Sequence, residues 1–223
     1  MSQKRFWETH VIDWEASAYE GAAAPGFLEK VASRFRGHLT VRFNMACKLL
    51  QELRPVSLLE IGCGQGRLLR RAIQEGWIQR GRGVDISTTA IENARLLARQ
   101  AGLGEDCLTF QAAAVGEMDP AWLEGADAVI GLGLLQYLTD EEYAFLFGHL
   151  RGRTFAFDWH GRELSAINLM HTVYRLFRRY PFYRRFSEAQ IRSLLAGYGF
   201  ERPEIRREDC ISMFVVRAPG STN

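Results

Sequence analysis

The chain has 223 residues, of which 47% are hydrophobic and 24% charged, and its net charge is +2. This length suits one domain with an appendage, because domains usually hold about 100 to 200 residues. The small net charge gives no indication of nucleic-acid binding. No segment approaches the roughly 20 apolar residues that span a bilayer, and the N-terminus lacks a signal-peptide core, so we expect a soluble protein.

The cysteines are scattered without the spacing of metal ligands: Cys47, Cys63, Cys107 and Cys210. Such usage favours free thiols in a reducing compartment. The sequence therefore predicts a cytoplasmic protein without a metal site.

Residues 1–55 form the first predicted unit, which is rich in aromatic side chains. These are Phe6, Trp7, Trp14, Tyr19, Phe27, Phe35 and Phe43. Helical pieces bearing such side chains would either close as a lid over a cleft or cap one end of the domain that follows.

Residues 56–223 form the second predicted unit, in which apolar strands alternate with helical patterns. Residues 56 to 66 read Val-Ser-Leu-Leu-Glu-Ile-Gly-Cys-Gly-Gln-Gly, a short strand ending in an acid and three glycines. A dinucleotide-binding turn, G-x-G-x-x-G, would need its third glycine at Arg67. The observed spacing better suits a ligand with an amino-acid tail, since glycines let the backbone approach it and Glu60 can take its ammonium group. S-adenosylmethionine is such a ligand.

A second strand is predicted from Gly81 to Ile86, and it carries Asp85 near its end. A carboxylate there accepts hydrogen bonds from both ribose hydroxyls in nucleotide-binding α/β folds. Ser87 follows as a plausible N-cap for a helix from Thr88 to Gln100.

The first of these motifs resembles that of the class I methyltransferases, E/D-x-G-x-G-x-G. Glu60, Gly62, Gly64 and Gly66 match it position by position. The resemblance implies an S-adenosylmethionine-dependent enzyme with a Rossmann-like fold of class α/β. That fold is a seven-stranded, mostly parallel, doubly wound sheet ending in an antiparallel hairpin.

The remaining sheet is predicted from five further segments and a helix. The strands run from Thr109 to Ala114, Ala126 to Leu132, Arg153 to Trp159, Glu201 to Arg206 and Ile211 to Arg217, with a helix from Ser187 to Tyr198. The third strand lacks the acidic residue that usually takes the adenine amino group in this class. Backbone amides or Gln111 must serve instead. The chain also lacks the Asn/Asp-Pro-Pro-aromatic and Pro-Cys motifs, which argues against methylation of base or glutamine amines and of cytosine C5.

Ligands of doubly wound sheets lie outside the carboxyl ends of the strands. The cofactor is therefore expected at the strand ends, near Cys63, Ile86, Ala113, Ala114, Leu132 and Gly133. By the same resemblance, a backbone carbonyl after the fourth strand holds the cofactor's amino group, and Gln136 and Tyr137 face the reacting methyl. An ordinary loop with a buried tyrosine is the alternative for Tyr137. Asp158 and His160 are the best candidates for a general base by position, with plain strand-end residues as the alternative.

A basic, aromatic insertion spans residues 160–186, with six arginines against one glutamate. As an amphipathic helix over the carboxyl edge it would cover an acidic, or flat and hydrophobic, acceptor. A solvated basic face is the alternative, and weak adhesion to a membrane surface is a third interpretation.

Three short patches resemble the magnesium-protoporphyrin O-methyltransferases: WEASAYEG at 14–21, Arg36-Gly37-His38 with Thr40-Val41, and residues 154–157 with 170–177. The resemblance implies that Tyr19 closes over the methyl donor and that Arg36 or Arg42 pairs with the methionine carboxylate. His38 is a weaker candidate. That family's loop histidine is replaced at Gln136, so porphyrin is one acceptor among several.

The sequence thus predicts a methyltransferase acting at oxygen on a small or medium-sized acceptor. The alternatives are a porphyrin carboxylate O-methyltransferase, a nucleotide-binding oxidoreductase-like enzyme and a cofactor-binding protein without catalysis. The oligomeric state cannot be read from the sequence.

Overall fold

The computed structural model describes residues 3–8, 27–160, 183–209 and 211–219. Residues 3–8 form a short helix, α1. The other helices are α2 Phe27–Leu53, α3 Arg67–Gln74, α4 Thr88–Gln100, α5 Pro120–Glu124, α6 Asp140–His149 and α7 Glu188–Gly197. The strands are β1 Ser57–Ile61, β2 Arg80–Asp85, β3 Leu108–Ala112, β4 Ala128–Gly131, β5 Thr154–His160, β6 Glu204–Glu208 and β7 Ile211–Val216.

The seven strands form one sheet in the order β3-β2-β1-β4-β5-β7-β6. Strands β1 to β5 pair in parallel, and β7 runs antiparallel between β5 and β6. The predicted seven-stranded, mostly parallel sheet is confirmed. The strand order reverses between β1 and β4, which creates the crevice where ligands bind in such folds.

Each face of the sheet is covered by its own hydrophobic core. Side chains alternate between faces along a strand, so Leu58 packs with α2, α3 and α4. Leu59 and Ile61 pack on the opposite face with α6 and α7. Buried strands between two helical layers read as nearly continuous apolar runs, which is why β1 and β4 could be recognised from the sequence.

Helix α2 is a core helix. Its buried side chains recur at helical spacing, as in Leu39, Phe43, Ala46 and Leu50. The helix ends at Leu53, because Arg54 precedes Pro55 and a residue before a proline is disfavoured in the helical region. Residues 39–53 of the predicted N-terminal unit therefore pack on the sheet, and the lid interpretation is confined to residues before them.

Side-chain caps mark the starts of α4, α6 and α7. The Ser87 hydroxyl accepts from the Ala90 N–H, and Ser187 forms a capping box with Gln190. Both serines were predicted as helix starts. Thr139 caps α6 in the same way. Strand β6 begins at Glu204 instead of Glu201, since Pro203 has no N–H to donate to a ladder.

Within the described ranges, no helix combines the length and the apolar character needed to cross a bilayer.

Candidate active site

The turn after β1 is fixed to β2 by its backbone. The N–H groups of Gly62 and Cys63 both donate to the Val84 carbonyl, at 2.7 and 3.1 Å. Gly62, Gly64 and Gly66 have φ angles of +73°, +51° and +68°. These lie in the left-handed region that glycine alone adopts without steric cost. The G-x-G-x-G spacing that predicts a ligand-binding turn is therefore also required by the backbone conformation of the turn itself.

The third glycine of the turn makes room for β3. A Cβ on Gly66 would lie 2.5 Å from Cε1 of Phe110, and one on Gly83 would lie 2.8 Å from the Cys63 sulfur. Gly66 therefore lets α3 start against the sheet. The Cys63 side chain is buried against β2, which leaves its backbone as the part able to meet a ligand.

Asp85 is held at the end of β2 by two backbone amides. Its Oδ2 accepts from the Gly64 N–H and its Oδ1 from the Ser87 N–H, both at 2.9 Å. Burial is the largest influence and raises the pKa of this carboxyl above its ordinary value, and the Glu8 carboxylate adds to the shift. The hydrogen bonds from Ser87 and Gly64 oppose it. The arrangement joins the glycine turn to the start of α4 through one carboxylate, next to the partly exposed Ile86.

Glu60 is buried near the end of β1, with 4% of its surface exposed. By strand alternation it lies on the same face as Leu58, toward α2. This places a carboxylate directly before the glycine turn, where an ammonium ligand was predicted.

The residues after β3 are anchored to the same edge. The Ala113 N–H donates to the Asp85 carbonyl at 2.9 Å, and the Ala114 N–H donates to the Glu117 carboxylate at 3.3 Å. The Gln111 side-chain oxygen is buried and has no hydrogen-bond partner in the described structure. A ligand bearing an amino group would satisfy this acceptor.

The loop after β4 rests on a buried ion pair. Asp158, at the end of β5, is completely buried, and its Oδ1 accepts from the Gly133 N–H at 2.5 Å. Its Oδ2 lies 2.8 Å from Nε of Arg42, a residue of α2. Burial raises the pKa of Asp158, whereas Arg42 and the Gly133 N–H oppose that shift. The loop also includes Leu132, which is partly buried.

Gln136 and Tyr137 follow on a single turn of 3₁₀ helix, Leu135–Tyr137. Gln136 is buried, and its carbonyl accepts from the Arg184 N–H at 2.7 Å. The Tyr137 ring meets two other rings edge-on, Trp7 at 5.3 Å and Tyr183 at 5.4 Å between centroids. Tyr137 thus joins α1 to Tyr183, in the last part of the basic insertion.

Helix α1 touches both sides of the crevice. The Glu8 carboxylate accepts from the Thr88 N–H at 2.8 Å and from the Thr89 N–H at 3.2 Å, at the start of α4. The Gln3 amide donates to the Tyr137 carbonyl at 2.6 Å. Sequence analysis did not single out Glu8 or Gln3, and no local signal could have found them, because their partners lie about 80 and 130 residues away.

Several predicted site positions lie outside the described residues. They are Tyr19, the side chains of Arg36 and His160, and the insertion from 161 to 182. The lid, the insertion and these residues stay predictions.

Comparison with known proteins supports the class that the motifs indicated. Residues 58–152 match the family described as "Methyltransferase domain". Among curated proteins, no sequence matches this chain.

Solved structures share the fold over most of the chain. Magnesium protoporphyrin IX methyltransferase from Synechocystis PCC 6803, solved with bound SAH, has a TM-score of 0.68 at 20% identity, over 96% of this chain and 97% of that one. An O-methyltransferase family protein from Burkholderia thailandensis has a TM-score of 0.61 at 14% identity, over 97% and 71%. A possible exported protein from Bordetella parapertussis has a TM-score of 0.70 at 18% identity, over 93% and 79%.

The sheet order, the glycine turn and the family match define a class I methyltransferase fold. The β1–β4 crevice stays the predicted position of the donor. The chain is an S-adenosylmethionine-dependent methyltransferase, as its sequence predicts. The oxidoreductase-like alternative loses its support, because the turn lacks the dinucleotide spacing and the family match points elsewhere.

Proposed function

We propose that this methyltransferase methylates an oxygen, and by preference a carboxylate oxygen, of a small or medium-sized acceptor. The observation that carries the proposal is the absence of a free base at two of the predicted catalytic positions. Gln136 has no group that takes up a proton at neutral pH, and Asp158 is committed to Arg42 and Gly133.

The choice of acceptor follows from its acidity. A carboxylic acid has a pKa near 4 and is already an anion at neutral pH, whereas a phenol near 10 must lose a proton during the reaction. Methyl transfer to a carboxylate therefore consists mainly of positioning the two reactants. A site in which neither Gln136 nor Asp158 serves as a base is suited to such an acceptor.

The donor site uses residues of the β1 and β2 ends. When bound, S-adenosylmethionine supplies a methyl group activated by its sulfonium. Glu60 would take the ammonium group, and the backbone of Gly62 and Gly64 would lie along the methionine part. Asp85 would accept from the ribose hydroxyls, and the buried Gln111 oxygen would accept from the adenine amino group.

Helix α1 is suited to act as part of a lid. Glu8 holds it to α4 on the donor side, while Gln3 and Trp7 hold it to Tyr137 beyond the crevice. A helix bound at both sides would exclude water from the reacting atoms. Tyr19 and the insertion at 160–186 complete this cover in the proposal.

The acceptor is expected to be flat or hydrophobic as well as acidic. The rings of Trp7, Tyr137 and Tyr183 meet where three covering segments converge. The insertion carries six arginines, a residue type that pairs with carboxylates, and one of them, Arg184, is bound to Asp140 in the described structure. A porphyrin carboxylate has this chemistry and is the second candidate, favoured by the fold shared with the Synechocystis enzyme. We do not expect a nucleic acid as the acceptor. Cys47, Cys63 and Cys107 form no disulfide in the described structure, which agrees with the proposed cytoplasmic location.

A tritium-methyl transfer assay tests the proposal over a panel of aromatic carboxylates, phenols, amines and magnesium porphyrins. We expect transfer to carboxylates with a rate that is nearly flat from pH 6 to 9, the range above the acceptor pKa. A rate that rises around pH 6.5 would assign a base role to His160 instead. Transfer to amines alone would contradict the proposal.

A further inference from the structure

Three distant segments meet beneath the loop after β4. Arg42 comes from α2, Asp158 from the end of β5, and Gly133 from the loop itself. One Asp158 oxygen accepts from the Gly133 N–H at 2.5 Å, and the other lies 2.8 Å from the Arg42 Nε.

The burial of this ion pair is not explained by a gain in folding stability. Asp158 is 0% exposed and Arg42 is 7% exposed. Removing two charges from water costs several kcal/mol per ion, and apolar residues of similar volume often replace such pairs with no loss of stability. A buried pair of this kind is better explained by the geometry it imposes.

The geometry it imposes is that of Gly133. This residue has a φ of +68°, and a Cβ on it would lie 2.4 Å from the Arg42 Nη1. The guanidinium therefore lies directly against the backbone at this position, while Asp158 holds the N–H. The residue is fixed from two sides.

Fixing the Gly133 N–H also fixes the preceding carbonyl. The described chain has no cis peptide bond, so the carbonyl of Leu132 points opposite to the Gly133 N–H. It is directed away from Asp158. The same loop contacts the glycine turn, since a Cβ on Gly62 would lie 3.5 Å from Cδ1 of Leu134.

We propose that Arg42 and Asp158 are positioning residues, which hold the Leu132–Gly133 peptide so that its carbonyl can accept from the ammonium group of the methyl donor. Asp158 is then a support for the donor site, and no proton passes through it. This inference rests on the proposed placement of the donor, with its amino-acid end between the glycine turn and the loop after β4.

The test compares two ligands that differ at that end only. S-adenosylhomocysteine carries the amino-acid group, and 5′-methylthioadenosine has the same adenosine thioether without it. Calorimetry on the purified full chain gives both dissociation constants. For Asp158→Asn we expect a loss of about tenfold in S-adenosylhomocysteine affinity, the scale of one hydrogen bond to a charged group, with methylthioadenosine changed less than about twofold.

Thr154→Val is the matched control at the other end of β5. Thr154 is also buried, and its hydroxyl accepts from the Ala218 N–H at 3.1 Å. Loss of this bond should lower stability without changing the ratio of the two affinities. If Asp158→Asn lowers the affinities for both ligands equally, the ion pair has only a structural role and the proposal is overturned.

A double variant keeps the test decisive if Asp158→Asn does not fold. Arg42→Met with Asp158→Leu removes both charges together, a replacement that proteins often tolerate. Selective loss of S-adenosylhomocysteine affinity in this variant supports the proposal, and wild-type affinity contradicts it. If the wild-type protein itself fails to prefer S-adenosylhomocysteine over methylthioadenosine, the donor placement is wrong, which is a separate result.

Discussion

The two sides of the crevice differ in the groups that form them, which are mainly main-chain groups on the β2 side and side chains on the β4 side. On the β2 side, main-chain N–H groups of glycines hold the turn: the Gly62 N–H donates to the Val84 carbonyl, and the Gly64 N–H donates to the Asp85 carboxylate. On the β4 side, side chains make it, with the ion pair of Arg42 and Asp158 below the loop and aromatic rings above it.

This difference predicts different responses to substitution. A backbone site tolerates no Cβ at its left-handed positions, so changes there should remove donor binding almost entirely. A side-chain site can change its shape one residue at a time. We therefore expect the largest losses of donor binding from changes on the β2 side, and changes of acceptor choice from the aromatic rings on the β4 side.

The largest expected effect is that of Gly64→Val. A branched side chain at a φ of +51° is strained, and it would also disturb the N–H that Asp85 binds. We expect S-adenosylhomocysteine affinity to fall by more than about 100-fold, equivalent to about 2.7 kcal/mol, as measured by calorimetry.

Gly76→Val is the matched control for this change. Gly76 has a φ of +67°, so it suffers similar strain, and nothing lies within 4 Å of its added Cβ. It should lower stability while leaving affinity unchanged. If both variants keep wild-type affinity, the glycine turn is not the donor site.

Asp85→Ala should have the next largest effect. It removes the predicted ribose ligand and the acceptor of the Gly64 and Ser87 N–H groups. We expect a loss of about 1.5 to 3 kcal/mol in S-adenosylhomocysteine binding, the scale for hydrogen bonds to a charged group. Asp127→Ala is the control, since Asp127 accepts from Ser57 at the opposite end of β1. A loss under about 0.5 kcal/mol for Asp85→Ala would place the ribose elsewhere.

Tyr137→Leu tests the other side of the comparison. The change removes edge-on ring contacts worth about 0.5 to 1.5 kcal/mol per pair, so the KM for the acceptor should rise several-fold. Donor affinity should stay within about twofold of wild type. Steady-state kinetics with the acceptor from the panel measures the first quantity, and calorimetry the second. An unchanged acceptor KM would show that Tyr137 is an ordinary structural tyrosine.

Glu8→Gln is expected to have the smallest effect. Burial opposes ionisation of Glu8, but hydrogen bonds from Thr88 and Thr89 outweigh it and lower its pKa from 4.5 to about 2. Because the folded-state pKa is depressed, the ionised group stabilises the protein above about pH 4.5 and loses this effect as the pH falls toward 2. The contribution should not exceed about 1 kcal/mol, since Glu8 is partly exposed.

Hydrogen exchange of the Thr88 and Thr89 amides measures this contact directly. Both amides should exchange faster in Glu8→Gln than in wild type at neutral pH, and the difference should shrink in acid. Glu142→Gln, at the start of α6, is a matched helix-capping control whose effect should stay local to Thr139. If the Thr88 and Thr89 amides exchange at the same rate in Glu8→Gln and in wild type, Glu8 does not hold α1 against the donor side of the crevice.

The sequence by itself determined the class of the enzyme and the α/β alternation, and the family resemblance added the seven-stranded sheet. The donor site at the glycine turn stays a prediction. The motifs behind these predictions are close in sequence. The glycine turn, Asp85 and the Ser87 cap all belong to the consecutive elements β1, α3 and β2 and the residues directly after them. Apolar runs and caps also placed the strands, and the helices that begin after Ser87 and Ser187, to within a few residues. The boundaries shifted where a neighbour intervened, as at Pro203 before β6.

Only the tertiary structure decided how the other side is built. Arg42, Gly133 and Asp158 are separated by 91 and 25 residues along the chain, and Glu8 by 79 from Ser87. No periodicity or spacing encodes such pairings, since they depend on which strand ends become neighbours when the sheet order reverses. An aspartate at a strand end resembles a base in sequence. Burial against an arginine from a distant helix is the observation that supports the positioning role proposed for Asp158.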